Sequence, residues 1–117
     1  MPRYLAILYD DPAQWASVAP EEMKRVIAKY EAWSEKTARA GRLLGGQKLT
    51  DAEGRIMRRK GGTLRVTDGP YSESKEVIGG YFAVQADSYD EALKILADCP
   101  HLDYEGTIEV RRFDEPG

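Results

Sequence analysis

Apolar residues follow two rhythms along this chain. From Arg3 to Tyr9 they run almost without a polar gap, as a strand does when both its faces are covered. Tyr4, Ala6 and Leu8 would face one side, and Leu5, Ile7 and Tyr9 the other. Asp10-Asp11-Pro12 stops that strand, and Pro12 to Ala16 suits a short helical turn. A three-and-four spacing then takes over. Met23, Val26, Ile27, Tyr30, Trp33 and Thr37 form one stripe of a long helix. Pro20 suits its first turn, Glu21 and Glu22 the positive end of its dipole, and Gly41 its C-terminal stop.

The strand rhythm returns in Arg42 to Leu49, which carries a glycine pair at Gly45-Gly46. Arg55 to Lys60 and Thr63 to Thr67 read as the arms of a hairpin around Gly61-Gly62. Gly79-Gly80 precede a further strand, Tyr81 to Ala86, apolar on both faces. Ser88-Tyr89-Asp90-Glu91 has the spacing of a capping box and starts a second helix, which buries Tyr89, Ala92, Leu93, Leu96 and Ala97. Cys99-Pro100 ends it, and Thr107 to Phe113 is a last strand with Ile108 and Val110 alternating against Glu109 and Arg111.

This order predicts an α+β fold: a ferredoxin-like split βαβ sheet with an added hairpin. The two strands without a polar face, Arg3–Tyr9 and Tyr81–Ala86, take the middle of that sheet. Two helices cover one side only. The other side needs a cover, and a second copy of the chain supplies it, so a homodimer with facing sheets is expected.

Composition narrows the functional classes. The 117 residues fit one domain, 1–117. A net charge of −3 argues against a general nucleic-acid binder, and the basic cluster Arg55, Arg58, Arg59, Lys60 and Arg65 reads as a solvated hairpin. The single cysteine, Cys99, excludes an intrachain disulfide. The first residues, MPRYLAILYDD, are too short for a membrane span and lack a cleavage pattern. A cytoplasmic location is expected. Neither glycine pair fits a nucleotide-binding loop, no metal-ligand spacing is present, and no cofactor is expected.

One run, Val66 to Phe82, reads VTDGPYSESKEVIGGYF. Together with YLAILYDD, the PEEM helix start, ARAGRLLGGQKL, SYDEALKILADCP and TIEVRRF, it resembles the YCII-related family, specifically its DGPF-domain branch. Tyr71 stands where that branch usually has Phe. The resemblance implies a dimeric α/β-barrel. Relatives sharing that barrel include small enzymes acting on aromatic or lactone compounds, some without cofactors. In the wider family a His and an Asp have been proposed as a catalytic pair. The Asp matches Asp68 here, while Tyr30 occupies the place of the His on the first helix. The branch also occurs fused or adjacent to sigma-factor-like regulators, which implies a non-catalytic interaction module as the alternative.

Asp68 is therefore the first candidate for chemistry, at the mouth of a small-molecule pocket. The competing reading is a turn cap ahead of Gly69. Tyr9 and Tyr81 are candidate ligand contacts on the central strands, and Lys75 a candidate anion contact in the loop. Glu73 and Glu76 fit a solvated loop. His101, the only histidine, reads as a surface loop residue. Cys99, at a helix C-terminus, is expected to have a raised thiol pKa and little reactivity.

Overall fold

The computed structural model describes residues 1–51, 53–69 and 76–115. The element order is β1 (Arg3–Asp10), α1 (Pro12–Trp15), α2 (Pro20–Arg39), β2 (Leu43–Lys48), β3 (Arg55–Lys60), β4 (Thr63–Asp68), β5 (Val77–Gln85), α3 (Tyr89–Leu96), a 3-10 turn (Pro100–Tyr104) and β6 (Thr107–Arg112). Four strands make an antiparallel sheet in the order β2-β5-β1-β6, with β1 and β5 in the middle as the pattern requires. β3 and β4 form a separate two-stranded sheet. This is the ferredoxin-like arrangement with an added hairpin.

Local chemistry accounts for the boundaries. Asp11 accepts the Ala13 N–H at 3.0 Å and caps α1. Gly41, at φ +74°, turns the chain out of α2 where a side chain would be strained. Ser88 Oγ accepts the Glu91 N–H at 3.2 Å, and Glu91 in return takes the Asp87 N–H at 3.3 Å. The returning bond thus lands one residue before the cap, a variant of the reciprocal box. β5 begins at Val77, four residues ahead of the expected strand, because Val77, Ile78 and Gly80 pair with β1 while Gly79 is bulged out of register.

The core lies between the sheet and the helices. Tyr4, Ala6 and Leu8 of β1 and Val84 of β5 point into it, joined by Val26 and Trp33 of α2 and by Ala92 and Leu96 of α3. The rings of Trp33 and Phe82 meet at 4.8 Å. The helix stripes are narrower than the spacing predicts. Ile27 on α2, and Tyr89 and Leu93 on α3, are exposed, since a four-stranded sheet is too narrow to cover the margins of both helices. Cys99 is fully buried, and that burial pushes its thiol up to about 11. The direction matches the sequence reading, but desolvation rather than the helix end is the main cause. Among the described residues no helix is long and apolar enough to cross a membrane.

Candidate functional site

A cavity of about 670 Å³ opens between α2 and the end of the sheet where β1 finishes and β5 begins. Its walls are mostly apolar: Leu8 and Phe82 from the sheet, Trp15 from α1, and Met23, Val26 and Ile27 from α2. Asp10, Tyr30 and His101 are among the titratable groups that line it, with Glu31, Glu35, Lys48 and Asp51.

Asp10 is the last residue of β1. The register shifts between Leu8 and Tyr9, just before it, where Gly79 is the extra residue on β5. Gly79 makes room for its carboxylate. A Cβ at position 79 would lie 2.8 Å from Oδ1 and 3.0 Å from Oδ2. Burial raises the Asp10 pKa above the usual carboxylate value, and the charges of His101 and Lys48 partly oppose that rise.

His101 comes from the 3-10 turn, and the structure corrects its sequence reading. It is 4% exposed rather than a surface residue. Its Nε2 lies 2.8 Å from the Tyr9 carbonyl oxygen. A carbonyl only accepts, so Nε2 carries the hydrogen. In the neutral ring Nδ1 is then an acceptor, and it receives the Tyr30 hydroxyl at 3.2 Å. Gly106 is what admits the ring. A Cβ there would approach Nε2 to 2.3 Å and Cδ2 to 2.5 Å. Tyr30 sits on the inner stripe of α2, and burial raises its pKa well above the ordinary phenol value, so the hydroxyl stays protonated at neutral pH.

The residues singled out from sequence fall in different places. Asp68 ends β4 with a side chain that is 92% exposed, 3.6 Å from Arg55 Nη1, and it is not among the cavity-lining residues. Tyr9 contributes its carbonyl to the site. Its ring turns to the opposite sheet face and donates its hydroxyl to Glu109 at 2.8 Å, which raises the Tyr9 pKa. Tyr81 borders the cavity but pairs in register with Ile7, so its ring shares the open face of the sheet. Lys75, Glu73 and Tyr71 lie outside the described residues. Among the described residues no three His, Cys, Asp or Glu side chains group closely enough to hold a metal ion.

Sequence reasoning missed Asp10 and His101 as a pair. Asp10 looks like a strand stop and His101 like a loop residue. The available signals were Gly79 and Gly106, glycines whose purpose appears only once their opposing side chains are known.

An antiparallel ferredoxin-like sheet with a mostly apolar cavity between helix and strand ends defines the class: an α+β domain of the ferredoxin-like kind. The chain belongs to the YCII-related family, whose model matches residues 2–115. It is 30% identical over 110 residues to an uncharacterized protein of Rhizobium meliloti (strain 1021), covering 92% of this chain and 89% of that one. Among solved structures it is similar to 5-chloro-2-hydroxyhydroquinone dehydrochlorinase (TftG) from Burkholderia phenoliruptrix AC1100, in complex with 2,5-dihydroxybenzoquinone. That likeness has a TM-score of 0.58 at 16% identity and covers 97% of this chain and 95% of the other, so it speaks for the fold.

Proposed function

We propose that this protein binds a hydroxylated ring compound in the α2–β5 cavity and transfers a proton on it, using Asp10 as the base. The observation that carries this reading is the convergence of Asp10, Tyr30 and His101 on one largely apolar cavity of about 670 Å³. The volume suits a single small organic ligand. The burial that raises the Asp10 pKa makes it a stronger base than an ordinary carboxylate.

Tyr30 and His101 act together. With His101 neutral, the Tyr30 hydrogen is spent on Nδ1 and the phenol oxygen accepts from a ligand hydroxyl. With His101 protonated, Nδ1–H becomes the donor and the Tyr30 hydrogen is released toward a ligand oxygen. A positive charge on His101 would favour the ionised form of Asp10, which keeps the proposed base available beside the ligand. The structural neighbour's name describes loss of HCl from a hydroxylated ring, a reaction in which a base must take a proton. It supports a ring-shaped ligand here without fixing which.

The working unit of the proposal is one domain, acting as a cytoplasmic homodimer. Leu5 and Ile7 of β1 and Ala83 and Tyr81 of β5 pair in register on the sheet face that the helices leave bare, and a second copy would cover them.

Isothermal calorimetry with hydroquinone, catechol and chlorohydroquinone tests the site. The expected result is saturable binding that Asp10→Asn weakens at least tenfold and Asp68→Asn leaves unchanged. Binding lost in Asp68→Asn and kept in Asp10→Asn would overturn it.

A further inference from the structure

The β3–β4 hairpin has two different sides. Met57 pairs with Val66, and Arg59 with Leu64, so Met57, Leu64 and Val66 share one side. They are 66%, 47% and 54% exposed. The other side carries Ile56 with Thr67, Arg58 with Arg65, and Lys60 with Thr63. A two-stranded hairpin is marginally stable in water unless something packs on it. Yet this one forms its own sheet, apart from the four-stranded one. The Cα radius of gyration is 16.3 Å, against about 13 Å for a compact chain of this length. A projecting element accounts for the excess.

Charge divides along the same line. Residues 53–69 hold five Arg and Lys against Glu53 and Asp68, a local charge of +3 in a chain of net −3, which leaves −6 on the remainder. The surface complementary to this basic, half-apolar arm is therefore the body of the same protein. A projecting arm reaches that body most simply on a second copy.

We infer that the β3–β4 hairpin is an intermolecular arm that docks through Met57, Leu64 and Val66 on a second copy of this chain, its basic residues set against that copy's acidic body. Two-fold symmetry makes the exchange reciprocal, each copy holding the other's arm. The inference rests on the dimer proposed above and adds the element that secures it.

Sedimentation equilibrium of the full chain, in 0.1 M and 0.5 M NaCl, tests it with two variants: Leu64→Ser with Val66→Ser, and Arg59→Glu with Arg65→Glu. All four positions lie on the exposed hairpin, and unchanged far-UV circular dichroism confirms that the body is intact. The expected result is a wild-type dimer whose dissociation constant rises at least tenfold in each variant and rises with salt. A wild-type dimer equally tight in both variants would overturn the arm while leaving the dimer standing. A wild-type monomer at 100 μM would overturn both. Loss of retention on DNA in the charge variant, with the dimer constant unchanged, would reassign the hairpin to a polyanion.

Discussion

Asp10, the proposed base, is expected to act in opposite directions on stability and on activity. Its folded pKa is raised by burial, so around that pKa the folded state binds more protons than the unfolded one. Its stabilising contribution is therefore complete below the unfolded carboxylate pKa and is lost as pH rises through the folded value. At neutral pH the ionised group weighs against the fold. Asp10→Asn should raise Tm by a few degrees at pH 7 while removing ligand-dependent proton transfer, the trade expected of a functional group. Calorimetric melts at pH 4 and pH 7 check the sign: the gain should be larger at pH 7. Gly106→Ala should do the reverse, because its methyl group collides with an anchored imidazole rather than with the free end of a chain. A loss of about 1–3 kcal/mol is expected, readable by urea unfolding, together with a changed His101 imidazole resonance by NMR. The sequence showed the family's signature acid, Asp68, because it lies in a contiguous motif. It did not show His101 as a site residue, because that assignment depends on the Tyr9 carbonyl and the Tyr30 hydroxyl, 92 and 71 positions away.

Among the elements, α2 and the segment after α3 are held together at Asp98. Lys36 and the Trp33 indole N–H, the latter at 2.9 Å, both donate to its carboxylate, and these bonds lower its pKa, with Lys36 the larger cause. This clamp keeps α2 in register with the 3-10 turn, and so keeps Tyr30 against His101. Asp98→Ala strands the donor of a nearly buried Trp33 and should cost about 1–3 kcal/mol in a denaturant titration. Because the Asp98 pKa is lowered, its contribution is present above the unfolded carboxylate pKa and disappears as pH falls through the folded value. The variant's deficit should therefore shrink toward pH 3. The elements were the most legible level of the sequence, since hydrophobic period, capping residues and glycine stops are local. β2, β3, β4 and β6 fall within a residue or two of their expected ends. Exposure of Leu93 and Ile27 was not legible, because the width of the sheet they pack on is a property of the assembled layer.

For the whole molecule, strand order follows from which strands lack a polar face, and β1 and β5 are central for that reason. The cavity is a consequence of the same order. It forms where the two central strands meet α2, and it gathers residues from β1, α2, β5 and the 3-10 turn that no short motif could join. Asp68, by contrast, is carried away from that point on a separate hairpin. The proposed function puts the chemistry in the cavity and not at the signature acid. Its most direct test is a two-dimensional ¹⁵N NMR titration of the full chain with hydroquinone, catechol and chlorohydroquinone. Saturable shifts are expected at Asp10, Tyr30, Gly79 and His101, with Asp68 and Gly69 unmoved. Saturable shifts centred on Asp68, or none with any of these rings, would contradict it.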